Sequence, residues 1–128
     1  MEENVVLTVP AQRAYLLVIR TALGGVALVN DLDVDTLDLR QAADEACDCL
    51  MHQGAPAHTL RMESRTADTH LLVTLFASLD EVPGICPAPG ELALSQAVLE
   101  TLVPEVRFYT RADGLVERID LTVPRAVH

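Results

Sequence analysis

Two hairpin signatures, set on either side of a helical stretch, restrict the fold of this 128-residue chain more than any other feature. The first joins an alternating run, about His58 to Arg65, to an apolar run, about His70 to Leu79, through the turn Thr66-Ala67-Asp68-Thr69. The second joins Val106–Arg111 to Leu115–Val123 through Asp113-Gly114, a dipeptide that readily takes the positive φ a tight turn needs. Strands that arrive in hairpins cannot wind a mainly parallel sheet, which needs a crossover after every strand. The chain is therefore expected to be α+β: a two-layer α/β sandwich with a mixed, mostly antiparallel sheet and helices on one face.

The remaining segments fit that plan. Val5–Val9 is rich in β-branched residues, stops at Pro10 and reads as an opening strand. From Ala11 to about Asn30, Leu16, Ile19, Leu23 and Ala27 recur at steps of three and four, which predicts a helix with one buried stripe. Gly24-Gly25 interrupts it, so either the helix bends there or a neighbour packs close. Asp35 can cap a second helix, about Thr36 to Gln53, with Leu39, Ala43, Ala46 and Leu50 on one face. Asp80 to Gly90 holds three prolines and two glycines and reads as a loop. A third helix follows over about Glu91 to Val103, with Leu92, Ser95 or Gln96, Leu99 and Leu102 at helical spacing and Pro104 as its stop. Residues 1–128 are expected to form a single domain by size.

Charge narrows the function classes. Nineteen acids stand against nine bases, every base is Arg, and the formal net charge is −10. Such a field repels phosphate, so neither nucleic acid nor an anionic membrane is an expected partner, whereas a basic protein surface would suit it. The acidic start Met1-Glu2-Glu3 and the lack of any uncharged apolar run of eighteen residues argue against a secretion signal and a membrane span. Cys47, Cys49 and Cys86 are odd in number and lack zinc spacing, which points to reduced thiols and a cytoplasmic protein.

Asp44-Glu45-Ala46-Cys47-Asp48-Cys49 resembles the E-A-x-x-N box of the anti-sigma-factor serine kinases, a branch of the GHKL ATPases with the Bergerat, or histidine-kinase-like, fold. The likeness extends in register from Val9-Pro10-Ala11 through Val18-Ile19-Arg20 and Gly25 to the box, and more loosely to Leu102-Val103-Pro104-Glu105-Val106. By that resemblance Glu45 matches the general base. Cys49 stands where the family carries the asparagine that holds magnesium, and Asp80 with Gly84 matches the adenine-binding D-x-G-x-G motif. Arg20 matches an arginine that contacts sigma factors and their antagonists.

Three departures accompany the match. Cys49 offers a soft thiol in place of a hard oxygen ligand. Val82 replaces a glycine of the adenine motif and gives up the backbone freedom that motif exploits. Ala93-Leu94-Ser95 aligns with the phosphate-binding G-x-G and keeps neither glycine, so backbone N–H groups are poorly placed to curl around a phosphate. The resemblance therefore implies a degenerate regulator that acts by protein–protein binding in bacterial signalling, with no cofactor and a sigma factor or an anti-sigma antagonist as partner. A homodimer is implied by family likeness alone. An active ATP-dependent serine/threonine kinase using Glu45, ATP and magnesium, and a scaffold or dimerisation domain, stand as the alternatives. Cys47, Cys49 and His52 do not make a metal site by spacing, and His58, His70 and His128 read as isolated surface residues.

Overall fold

The computed structural model describes residues 3–80 and 89–126. Strand β1 spans Glu3–Pro10, and a 3-10 turn at Arg13–Tyr15 leads into helix α1, Leu16–Asn30. Helix α2 spans Thr36–Met51, β2 Ala57–Thr66, β3 His70–Leu79, α3 Pro89–Leu102, β4 Glu105–Thr110 and β5 Val116–Pro124. The five strands form one sheet in the order β1-β2-β3-β5-β4. Helix α2 lies between α1 and α3 and makes most of the helical contact with the sheet.

The expected two-layer α+β sandwich is present, with one correction: all four strand pairings are antiparallel, so the sheet is not mixed. Two helices separate β1 from β2, so the chain comes back to the end of the sheet where β1 finished and β2 starts antiparallel beside it, with Pro10 opposite Thr59. The single helix between β3 and β4 leaves those two strands parallel, but β5 inserts between them and pairs antiparallel to each.

Register carries the core. Leu7, Met62, Leu75, Ile119 and Phe108 form one inward row across the five strands, and Val5, Ser64, Val73, Leu121 and Val106 form the next. The central members, Met62, Val73, Leu75, Ile119 and Leu121, are fully buried. Outward rows alternate with these, as the two-residue period of a strand requires. On that outer face the Arg61 guanidinium lies 4.4 Å from the Phe76 ring centroid and Arg118 lies 4.4 Å from that of Tyr109. The arginines thus cover the aromatic surface that the sheet presents to solvent.

Helix ends follow their local chemistry. The Asp35 carboxylate accepts from the Leu37 N–H at 2.8 Å and caps α2. Helix α1 ends on Asp31 at φ 51°, a left-handed conformation that Asp tolerates better than most residues. Arg125 donates to the carbonyls of Asn30 and Ala67, at 3.3 and 2.9 Å, and so binds this helix end to the β2–β3 turn. Gly24 and Gly25 neither break α1 nor permit a close approach. Among the described residues, a Cβ on Gly24 would meet Arg40 at 3.9 Å, an ordinary contact, and one on Gly25 would meet nothing within 4 Å.

The end of α2 is fixed by Gln53. Its buried amide donates to the Val116 carbonyl and accepts from the Val116 N–H, both at 2.7 Å, extending the pairing of β5 with a side chain. Replacing Gln53 by Ala strands two buried backbone groups, which is expected to cost about 1–3 kcal/mol in a urea unfolding titration, with the secondary structure retained.

Candidate functional site

Every residue of the box sits on α2, and the side it faces follows from helical spacing. Leu39, Ala42, Ala43, Ala46, Cys47 and Leu50 are fully buried, and this run of small side chains lets α2 lie close against the sheet. With that face committed, Glu45 and Asp48 turn toward α1, and Cys49 turns toward α3.

On the α1 side, Arg13, Leu17, Arg20, Asp44, Glu45 and Asp48 line a groove of about 640 Å³. Arg20 Nε stands 3.2 Å from Asp44 Oδ2, an ion pair in which both side chains remain more than a third exposed. Burial raises the Asp44 pKa above the ordinary carboxylate value, and the nearby Arg20 and Arg40 charges act against that rise. Glu45 is half-buried in this groove, without a hydrogen bond or ion pair among the described residues. Asp48 pairs instead with His52, whose Nδ1 lies 3.0 Å away.

On the α3 side the surroundings differ. Cys49 is 9% exposed and lies within reach of the Ser95 side chain. Burial pushes its thiol up to about 11, Ser95 pulls the other way, and Glu45 and Asp48 add to the rise. Cys47, fully buried, is pushed up to about 12 by desolvation and then by Asp44 and Asp48. Ala93, Leu94 and Ser95, which align with the phosphate loop, lie inside α3, whose Leu99 is buried in the core. Residues in a continuous helix have already committed their backbone N–H groups beyond the first turn.

Asp80 directly follows the last residue of β3. Its Oδ1 lies 2.6 Å from His58 Nε2, and its N–H donates to the Pro56 carbonyl at 3.1 Å. Arg111 donates to the Leu79 and Asp80 carbonyls, at 3.2 and 3.3 Å, tying this corner to the β4–β5 turn. Gly84, with Val82 and Cys86, lies outside the described residues. The structure thus brings Arg20 and Glu45 to one groove and places Cys49 under α3, while Asp80 is engaged at a corner of the sheet.

His58 is a correction: it is not isolated. The Ala57–Leu79 register puts the start of β2 beside the end of β3, so His58 and Asp80 meet across that edge. The hairpin signal in the sequence held this information, but reading it required the register. Among the described residues no group of three or more His, Cys, Asp or Glu side chains could hold a metal ion.

No protein-family model matches the chain. Over 126 residues, however, it is 32% identical to the anti-sigma-F factor RsbW of Mycobacterium tuberculosis, in both strain CDC 1551 / Oshkosh and strain ATCC 25618 / H37Rv. That alignment takes in 94% of this chain and 73% of the relative. The chain belongs to the anti-sigma-factor kinase family. Its antiparallel five-stranded sheet with three helices on one face fits the family's fold.

The thiols give a pH test with a defined sign. Both have folded pKa values raised above the ordinary value near 9, so the folded protein retains these protons after the unfolded chain has released them. Their contribution is complete below about pH 9 and is lost as pH rises toward about 11–12. Urea stability is expected to fall across that window, and the fall is expected to shrink in a Cys47→Ala/Cys49→Ala variant.

Proposed function

We propose that this chain is an anti-sigma-factor regulator that works by holding a protein partner, with nucleotide binding and phosphoryl transfer weakened or lost. The observation that carries this reading is Cys49, buried to 9% exposure between α2 and α3, its thiol pushed up to about 11 by desolvation. At the position matching the magnesium ligand, this chain presents a protonated thiol facing a helix. Magnesium demands near-octahedral oxygen coordination, and a neutral, desolvated sulfur is a poor substitute. The chemistry of this donor does not fit the metal.

Two further features support the same reading. Ser95 and its neighbours lie within α3, so their N–H groups do not form a phosphate cradle. The Asp80 carboxylate, which matches the adenine ligand, is engaged by His58. A purine would have to displace that contact.

The partner we assign is a sigma factor or its antagonist, with Arg20 on the contact surface. Arg20 lines an open groove of a size and polarity suited to side chains of another protein, and its ion pair with Asp44 is exposed enough to exchange for an incoming carboxylate. Glu45 favours a second reading, an active serine kinase, because it lies half-buried in the same groove with no described hydrogen bond or ion pair.

Calorimetry with ATP and magnesium decides between the two. The expected result is no measurable binding up to about 1 mM nucleotide, weaker than about −4 kcal/mol, and micromolar affinity would overturn the binding-only reading. Reversing the charge at Arg20 tests the partner surface separately. Arg20→Glu is expected to weaken capture of the cognate sigma factor or antagonist at least about tenfold, roughly 1.4 kcal/mol, in surface plasmon resonance. Unchanged capture would remove Arg20 from the interface.

A further inference from the structure

The face of the sheet turned away from the helices is an ordered surface in its own right. Across β2, β3, β5 and β4 the outward residues Arg61, Phe76, Arg118 and Tyr109 stand in one register row, guanidinium and ring in alternation. Arg61 lies 4.4 Å from the Phe76 centroid, and Arg118 lies 5.6 Å from the same ring and 4.4 Å from that of Tyr109. In the next row Thr74 and Asp120 are only 5% and 7% exposed, although among the described residues no helix covers this face. The side chains here bury one another. Arginines held on rings enter a contact with less rotamer freedom left to lose.

Charge identifies the chemistry that this surface fits. Four of the nine arginines, Arg61, Arg65, Arg107 and Arg118, project from it, against three of the nineteen carboxylates. Its sign is thus opposite to that of the chain, which carries −10 overall. Two of those carboxylates are already engaged. Asp120 accepts from Nε and a terminal nitrogen of Arg118, both at 2.8 Å, and Glu63 lies 3.5 Å from Arg61 Nε. Arg65 is exposed and has neither an ion pair nor a hydrogen bond among the described residues. What is left unmatched is positive, so carboxylates complement it. At physiological salt charges are screened over about 8 Å, less than the roughly 10 Å diameter of a helix, so the acids of the helical layer do not cancel the local sign. A nucleic acid fits less well, because its unbroken run of phosphates would pass over Glu63 and Glu105 as well.

Spacing identifies the shape of the occupant. Arg61 and Arg65 are four residues apart on one strand, about 13 Å, with Glu63 between them. An extended segment laid along β2 has the same pitch and sets carboxylates at i and i+4 on the two arginines. Its residue i+2 then comes over a hollow of about 80 Å³ beside Leu72, Thr74 and Phe76, which has room for a small apolar side chain. On the other side of Phe76, Thr8, Thr59 and Ser78 join Arg61 around a second hollow of about 270 Å³ and offer hydroxyl donors to the first carboxylate.

We propose that the outer face of the sheet docks an extended acidic segment of a partner protein, with carboxylates at i and i+4 on Arg61 and Arg65 and an uncharged residue between them. This goes beyond the partner groove at Arg20, which lies in the helical layer, and it does not depend on whether nucleotide binds.

The test titrates three labelled peptides against the full chain by fluorescence anisotropy at about 0.15 M salt. The first carries Glu-Thr-Val-Thr-Glu between glycine flanks, the second has Arg in place of both Glu, and the third, Glu-Thr-Glu-Thr-Val, brings its second carboxylate over Glu63. The first is expected to saturate with an affinity better than about 1 mM and to weaken several-fold at about 1 M salt. The second is expected not to bind, and the third to bind at least about fivefold more weakly than the first. Arg65→Glu and, separately, Arg61→Gln/Arg65→Gln are expected to weaken the first peptide at least about tenfold with unchanged circular dichroism melting, whereas Arg20→Glu leaves it unaltered. No binding of the first peptide, equal binding of any two of the three, wild-type affinity in the Arg61 and Arg65 variants, or loss in Arg20→Glu would overturn the proposal. So would a twelve-residue oligothymidylate that binds more tightly than the first peptide, because the face would then read phosphate. Concentration-dependent dimers in sedimentation that vanish in Arg65→Glu would overturn it as well, because a second copy would then occupy the face.

Discussion

The close seating of α2 on the sheet governs the rest of the molecule. Ala42, Ala43, Ala46 and Cys47 leave so little side chain between helix and strands that Leu39 and Leu50 can reach the inward rows of β2, β3 and β5 with no residual exposure. Interiors packed at this density tolerate few rearrangements, so the rotation of α2 about its own axis is fixed. Once it is fixed, each exposed side chain of the helix has a set direction. The Gln53 amide, paired with the backbone of Val116, anchors the same helix to β5 at its C-terminal end.

Two unlike flanks result. Toward α3 the surface is closed: Cys49 is buried, its thiol is kept protonated by desolvation, and Ser95 completes the contact. Toward α1 it is open, with Arg20, Asp44 and Glu45 around a groove and exposed apolar residues along the outer side of α1. A chain of this family that acted by binding would present its chemistry on the second flank. An acidic α2 beside an apolar α1 would give such a surface selectivity by sign as well as by shape.

Legibility in the sequence varied with the kind of signal. The helical stripes of α1 and α2, the Asp35 cap and both hairpins were readable because each arises within one turn of helix or one pair of strands. The Asp113-Gly114 turn formed with Gly114 at φ 87°, although the loop closes from Arg111 to Leu115 and is longer than a two-residue turn. The Gly24-Gly25 pair was read as a bend or a close contact, and it is neither, since none of the described residues approaches Gly25. A glycine's lack of side chain has no local signature that distinguishes an inner contact from a space left open to the outside.

Composition and order were enough to determine an α+β sandwich, the net acidity and the family resemblance that begins at Glu45 and Ala46, since all of these rest on composition, periodicity or residues adjacent in the chain. Only the tertiary structure decided that β5 inserts between β3 and β4, that His58 reaches Asp80, that Cys49 meets Ser95, and that the apolar outer side of α1 remains uncovered. Each of these joins residues far apart in sequence or depends on what is absent nearby. Such relations are set by strand register and helix rotation, which a short-range pattern does not encode.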